Sequence, residues 1–486
     1  MRVDLLDCRH LKHERLLPLI VATALFIENM DSTAIATSLP AMASDLGVEP
    51  VALKLALTSY LLALAVFIPI SSWVADRFGA RPVFMTAIGV FLLGSLGCAA
   101  AQSLESLVAA RFAQGIGGAM MVPVGRLVLL RSVPKAELVR ALSWLTIPAL
   151  LGPMLGPVLG GLITTYSHWR YIFLINLPIG VLGIVLAWRH VPLLRETVGP
   201  LDWRGFALSG AGLAATIFGL ATLGRHLVSP VLSVAVAAAG VLILALYALH
   251  ARRRTYPLID LTLLRLPTFR IAVLGGALFR IGIGAIPFLL PLMLQLGFGF
   301  DPLQSGLITF TSAAGAMFMK TIATRILRRF GFRPVLVVNA VLASLLLCSY
   351  GLFGPQTPIA LMIGVLLIGG CLRSLQFTSL NAITYAEVEP ARMGQASGLA
   401  AMVQQVALAL GVTVGGYALS AAGALTGQPL GALDNYALAF VAIGLVSAGS
   451  VWMMRGLAPD AGAEMAGRAR PGEEVTEPKP EARPGS

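Results

Sequence analysis

Apolar runs of about 20 residues recur from Leu16 to Gly456, each long enough to cross the ~30 Å hydrocarbon core of a bilayer as a helix rising 1.5 Å per residue. No other feature restricts the fold so tightly. A lipid-exposed backbone must satisfy its own hydrogen bonds, and the runs are rich in Leu, Ala, Val and Gly without alternation of period two, so they read as helices and not as barrel strands. Fourteen are counted, over 16–39, 52–74, 82–101, 106–130, 138–163, 170–188, 204–224, 230–250, 269–297, 303–326, 334–353, 357–385, 396–422 and 436–456. With 57% hydrophobic and only 12% charged residues among 486, too little polar surface remains to coat a soluble globule, which excludes an ordinary soluble enzyme. The fold class is therefore an all-α integral membrane protein.

The net charge of +12 does not mark a nucleic-acid binder, because the bases sit in small clusters between apolar segments and not along one face. They report topology instead. An even number of spans puts both termini on one side, and 27 of the 35 Lys and Arg residues lie in or beside the segments on that side. The positive-inside rule makes that side cytoplasmic. The apolar run after Arg2, Arg9, Lys12 and Arg15 has no small-residue cleavage site and is long, so it reads as a membrane anchor and not a leader peptide. The segment 457–486, rich in Pro, Glu, Arg and Gly, reads as a disordered cytoplasmic tail. Cys8, Cys98, Cys348 and Cys371 form no C-x-x-C pair, and His10-x-x-His13 stands in a charged terminus, so neither a metal site nor a cofactor is expected.

The chain repeats itself. Arg77-Phe78-Gly79-Ala80-Arg81-Pro82-Val83 after span 2 returns as Arg329-Phe330-Gly331-Phe332-Arg333-Pro334-Val335 after span 10, an offset of 252 residues. Ile116-Gly117-Gly118 returns at the same offset as Ile368-Gly369-Gly370. The organisation that follows is a cytoplasmic N-terminus (1–15), a six-helix half (16–190), two inserted helices (191–255), a second six-helix half (256–456) and the tail.

Ionisable groups at membrane depth cost several kcal/mol and mark function by default. The acidic ones are Glu28 and Asp31, three apart in span 1 and so expected on one helix face, where a carboxyl is suited to taking up and releasing protons. The basic ones are Arg111, Arg126, Arg280, Lys320 and Arg373. Lys320, Arg126 and Arg373 stand near helix ends, within snorkelling reach of the interface, whereas Arg280 is near mid-span. Arg280 is also the repeat-mate of Glu28, which predicts that the two face each other across the pseudo-two-fold axis, either as a fixed ion pair or as an exchangeable one. Span 5 carries Gly152-Pro153, Gly156-Pro157 and Gly160-Gly161; glycines every four residues allow close helix approach, and the prolines permit a bend.

These motifs resemble the major facilitator superfamily, and within it the fourteen-span drug:proton antiporter family, over residues 16–456. Ser72 to Arg81 is similar to the inner-loop motif G-x-L-A-D-R-x-G-R-K, keeping Asp76, Arg77, Gly79 and Arg81 but with Ser72 for the first Gly and Ala80 for the first base. Arg111-Phe112-Ala113-Gln114-Gly115-Ile116-Gly117 is similar to R-x-x-Q-G-x-G, whose arginine is implicated in proton transfer. Gly152 to Gly161 matches the antiporter signature of exporters, and Met30 to Pro40 resembles the span 1 motif. Trp169 to Gly180 and Phe288 to Gly299 are closest to the multidrug transporter D branch, where a neutral amide is expected in place of Glu28.

The resemblance implies a proton-coupled exporter of small organic molecules working by alternating access, with protons and a small-molecule substrate as its partners in the bilayer and a monomer as the expected state. It implies proton coupling by Asp31, Glu28 and Arg111. The substrate cavity is expected to hold Glu28, Asp31, Arg280 and Gln114. Asp76, Arg77, Gly79, Arg81, Arg329, Gly331 and Arg333 form the expected inner-loop gate. Glu28 and Asp31 against Arg111 and Arg280 sum to a neutral cavity, or a positive one once an acid is protonated, so a narrow organic-anion or metal-chelate cargo stands as the alternative to lipophilic drugs. A non-transporting membrane sensor is the alternative from another class.

Overall fold

The computed structural model describes residues 4–133, 138–196, 198–222, 229–254, 257–389, 392–429, 431–463 and 465. Most of the predicted tail lies outside them. Thirteen helices among the described residues are long and apolar enough to cross a membrane: α1 (Leu17–Asp45), α2 (Pro50–Phe78), α3 (Ala80–Ala100), α4 (Leu104–Ser132), α6 (Tyr171–His190), α7 (Trp203–Thr222), α8 (Pro230–Arg253), α9 (Pro267–Gly297), α10 (Pro302–Phe330), α11 (Phe332–Leu352), α12 (Ile359–Ile383), α13 (Met393–Thr426) and α14 (Leu433–Met454). The helix α5 (Leu138–Tyr166) completes the fourteen. The first helix begins at Asp4, well before the apolar run, so residues expected to precede the span are helical as well.

Local chemistry sets the ends. Ser103 and Asp301 cap α4 and α10 through reciprocal bonds with Ser106 and Gln304, satisfying donors that the first helical turn leaves open. Gly79 (φ 101°) and Gly331 (φ 80°) make the same tight turn in the two repeats, in a backbone region closed to most side chains.

Contacts among the helices obey one plan twice. In the first six, α1 packs on α5 and α6, α4 on α2 and α3, and α3 on α6; among the last six, α9 packs on α13 and α14, α12 on α10 and α11, and α11 on α14. Between the two sets, α5 meets α10 and α2 meets α13, contacts that exchange under a two-fold axis. The inserted α7 and α8 pack on each other, and α7 leans on α2 and α13 through Leu213 and Ile217 against Leu62, Val66 and Ala409. The helix α8 is the least buried of the thirteen.

Two of the helices that carry charge within the membrane, α1 and α9, are irregular. α1 passes into a 3₁₀ turn at Ile35–Ser38, just after Asp31. α9 contains π turns at Ile271–Gly275 and Met293–Gly297, with Pro287 and Pro291 between them. Such interruptions leave backbone groups to be satisfied from neighbouring helices and recur at functional sites.

Candidate functional site

A cavity of about 2380 Å³ runs from mid-membrane to the arginine-rich end of the bundle. Glu28, Tyr60, Arg111, Arg126, Arg280 and Arg373 line its depth, and Asp76, Asp202, Arg253 and Met393 its mouth. At the opposite end the halves are sealed. Gln295 Nε2 donates to the Thr37 carbonyl at 2.7 Å, the Leu303 amide donates to Thr165 Oγ1 at 3.1 Å, and Gly161 and Gly306 let α5 and α10 touch backbone to backbone. Lys54 of α2, buried, lies 4.3 Å above the Tyr417 ring of α13, whose hydroxyl donates to the Leu220 carbonyl of α7. Among the described residues, the cavity is therefore open at the basic end and closed at the other.

Behind the cavity wall lies a buried polar cluster centred on Asp31, which has no exposed surface. Arg111 Nη1 donates to Asp31 Oδ2 at 2.5 Å, while Asn176 Nδ2 and Gln114 Nε2 donate to Oδ1 at 2.8 and 3.0 Å. Gln114 also accepts from Arg111 Nη1 at 2.6 Å and donates to Ser95 Oγ at 2.8 Å. The guanidinium lies 4.3 Å from the Tyr60 ring centroid, so one face of the cation is covered by π density. Side chains of α1, α3, α4 and α6 thus meet in one cluster, α4 and α6 donating to the carboxylate itself and Ser95 of α3 joined to it through Gln114 and Asn176.

Glu28 and Asp31 do not share the cavity face. A separation of three residues is about 300° of rotation, and this is enough to turn Glu28 into the cavity while Asp31 points into the half. Gln114 likewise lies behind the wall, whereas Arg111 reaches it. Arg280 and Glu28 line the same cavity, but among the described residues they form no ion pair within 4 Å; Arg280 Nη2 donates instead to Asn381 Oδ1 at 3.2 Å. The acid has Arg126 as the cation acting on it, with Asp31 as a like-charged neighbour.

At the basic end, Asp76 accepts from Arg131 Nη1 at 2.6 Å, and Glu196 pairs with the same arginine at 3.2 Å. Arg195 Nε donates to the Arg77 carbonyl and Arg81 to the Trp188 carbonyl, so the segment after α6 is strapped to the Gly79 turn. These contacts stay within the first half and the start of the connection that follows it. At the equivalent turn, Arg329 stacks on Phe330, and Gly331 and Arg333 stand where the repeat places them, away from the cavity lining. Gly152, Gly156 and Gly160 all face α1, where an added Cβ would meet Asn29, Thr33 and the Ala34 carbonyl, while Gly161 faces Pro302 and Leu303 of α10. Pro153 lines the cavity, and the Pro157 carbonyl packs against Gly306.

Sequence reasoning missed Asn176 and Ser95. Asn176 stood inside a motif read only as a family marker, and the available signal was an amide at mid-depth in α6, which is expensive in hydrocarbon unless paired. Asn381, two residues before the end of α12, carried no such depth signal.

A profile of the Major Facilitator Superfamily matches residues 21–412, with a second match over 272–480. The proteins named "Putative multidrug resistance protein MdtD" from Salmonella heidelberg (strain SL476) and Salmonella newport (strain SL254) are each 39% identical over 403 residues, covering 82% of this chain and 85% of theirs. Among solved structures, an auto-inhibited POT family peptide transporter superimposes with a TM-score of 0.67 at 15% identity, over 96% of this chain and 99% of that one. A D-xylose-proton symporter gives 0.63 at 14% identity, over 91% and 99%.

Proposed function

The chain belongs to the major facilitator superfamily, and from that premise we propose that this transporter is a proton-coupled exporter of small organic molecules, of the multidrug type, working by alternating access. The observation that carries the reading is the Asp31–Arg111 pair, with the carboxylate sealed from the cavity and its cation on the cavity wall. Neutralising Asp31 leaves Arg111 as an uncompensated buried charge, a state unfavourable by several kcal/mol that is relieved by moving the cation or changing its surroundings. Because α1 carries Asp31 and is packed along Gly152, Gly156 and Gly160 of α5, and because Gly161 sets α5 on α10, a shift at the pair reaches the contact between halves. Proton binding is thereby coupled to the seal at the far end. Glu28, facing the cavity, is a second proton carrier or a contact for cargo.

In this reading the halves 16–190 and 256–456 rock about the cavity, 191–255 travels with the seam, and the basic end with both termini is cytoplasmic. Asp76 and Arg131 form the rigid corner of the inner-loop gate, which closes when the cavity opens outward. Export is supported by the glycine-proline signature of α5 and by the multidrug names of the relatives.

The test uses everted membrane vesicles energised to an acid interior, with a pH-sensitive dye reporting proton release as lipophilic cations and then organic anions are added. Release by wild type, absent in Asp31→Asn, is expected. Equal release by the variant sinks the assignment of Asp31, and silence from a folded wild type to both classes overturns proton-driven export of these cargoes.

A further inference from the structure

Of the charges lining the deep cavity, those contributed by α9, α10 and α12 are all positive. Arg280, Lys320 and Arg373 have no carboxylate within 4 Å among the described residues, and the carboxylates at the mouth are engaged elsewhere, Asp76 by Arg131 and Asp202 by His250. Glu28 stands on the opposite wall. Arg280 is 6% exposed; among the described residues its Nε has no partner, a buried donor left open, and its one bond, to Asn381, is long at 3.2 Å. Among the described residues Arg373 makes a single bond, to Ser312 Oγ at 3.3 Å. Two guanidinium groups in a low-dielectric cavity with so few partners are costly unless a ligand supplies the missing acceptors.

On α12, Asn381, which accepts from Arg280 of α9, stands two turns from Arg373. Arg373, Phe377 and Asn381 recur every four residues and so share one helix face, and the first and last are about 12 Å apart along the axis. Phe377 stands on the helix between those two positions, its ring 5.4 Å from the Arg280 guanidinium and braced edge-on by Phe279 at 6.1 Å. We propose that this wall is a two-pole anion site whose ligand is a small organic molecule carrying two negative groups at the ends of a flat apolar body, one held by Arg280 with Asn381, the other by Arg373, which Ser312 anchors from behind, and the body against Phe377. Arginine suits this role because its planar fork meets a carboxylate through two parallel bonds. The proposal rests on the reading of this cavity as the place where cargo binds, and it narrows the cargo to organic dianions, against the lipophilic cations that a multidrug pump with an acidic cavity would take.

Equilibrium binding to the full chain in lipid nanodiscs, without a proton gradient, tests it with three probes: naphthalene-2,6-dicarboxylate, 2-naphthoate and tetraphenylphosphonium. The dicarboxylate should bind about tenfold or more tightly than the monocarboxylate, one charged contact being worth that factor, and the phosphonium should not displace it. Arg280→Gln and Arg373→Gln should each bring the dicarboxylate to the affinity of 2-naphthoate. The proposal is overturned if the phosphonium binds as tightly as the dicarboxylate, if the two naphthoates bind alike to wild type, or if neither variant changes the dicarboxylate. The wild-type comparison needs no variant and so decides the matter even where a variant does not fold. Loss of proton flux with dicarboxylate binding intact refutes the coupling mechanism instead, and flux driven by cations from a protein that ignores the dicarboxylate refutes the anion site alone.

Discussion

A double-mutant cycle on Asp31 and Arg111 measures the element on which the coupling mechanism depends. Asp31 accepts three donors, from Arg111 at 2.5 Å, Asn176 at 2.8 Å and Gln114 at 3.0 Å. Asp31→Asn places an amide nitrogen opposite either Arg111 or the two amides, so donor faces donor in one orientation or the other, and the guanidinium loses its counter-charge. Arg111→Met leaves a buried carboxylate with two amide donors while keeping apolar contact with Tyr60. Each single change should cost about 3–5 kcal/mol, the penalty for one unpaired buried charge. The double variant retains no such charge and should lose only about 1–3 kcal/mol, far less than the sum of the singles. The four proteins are compared by unfolding in mixed micelles titrated with SDS, followed by tryptophan fluorescence. A double variant whose loss equals the sum of the singles to within about 0.5 kcal/mol would falsify the claim that the two side chains act as one unit.

Two further outcomes are expected. Gln295→Leu removes a 2.7 Å bond from α9 to the Thr37 carbonyl that spans the halves at the sealed end, worth about 0.5–1.5 kcal/mol, so the population open at that end should rise by up to about tenfold; thiol labelling of a Thr165→Cys reporter should accelerate correspondingly, and an unchanged rate contradicts the assignment of the seal. Outside the membrane, burial pushes the Asp260 carboxyl upward, but bonds from Thr262 and the Arg392 guanidinium outweigh it and hold the group below its ordinary value of 3.8. Its stabilising contribution is thus present above the ordinary value and lost as pH falls through the lower folded one. Asp260→Asn should flatten that part of the acid-denaturation profile, and a profile identical to wild type refutes the pair as a stabiliser of the loop before α9.

The helices were legible because hydrocarbon tolerates so few alternatives: every span had to be a long apolar run, and every run became a helix. The repeat was legible for a related reason, since Gly79 and Gly331 are demanded by the same turn geometry. The interior of the site was read less well. Sequence spacing places Glu28 and Asp31 within one turn, but which side of a 60° boundary each occupies depends on how α1 is rotated against α4 and α6, and rotation is fixed by packing that no local pattern encodes. Pairing by repeat offset led from Glu28 to Arg280 across the axis, whereas Arg280 found Asn381 on the adjacent α12. Two side chains that line one cavity need not meet when the cavity between them stands open.

The Asp31 cluster has a counterpart that is easy to overlook. At the repeat offset of 252, Asp31, Ser95, Arg111 and Gln114 correspond to Ile283, Leu347, Ile363 and Leu366. Ile283, Leu347 and Leu366 are all buried. The molecule thus holds its own control: the same helix arrangement, built once around charge and once around oil, side by side in one chain. Apolar filling is evidently compatible with that architecture, so the burial of ions in the first copy is not explained by any need of the scaffold. What the second copy lacks is the ability to change its charge, and for that reason the two halves, alike in shape, are unequal partners in any cycle that depends on pH.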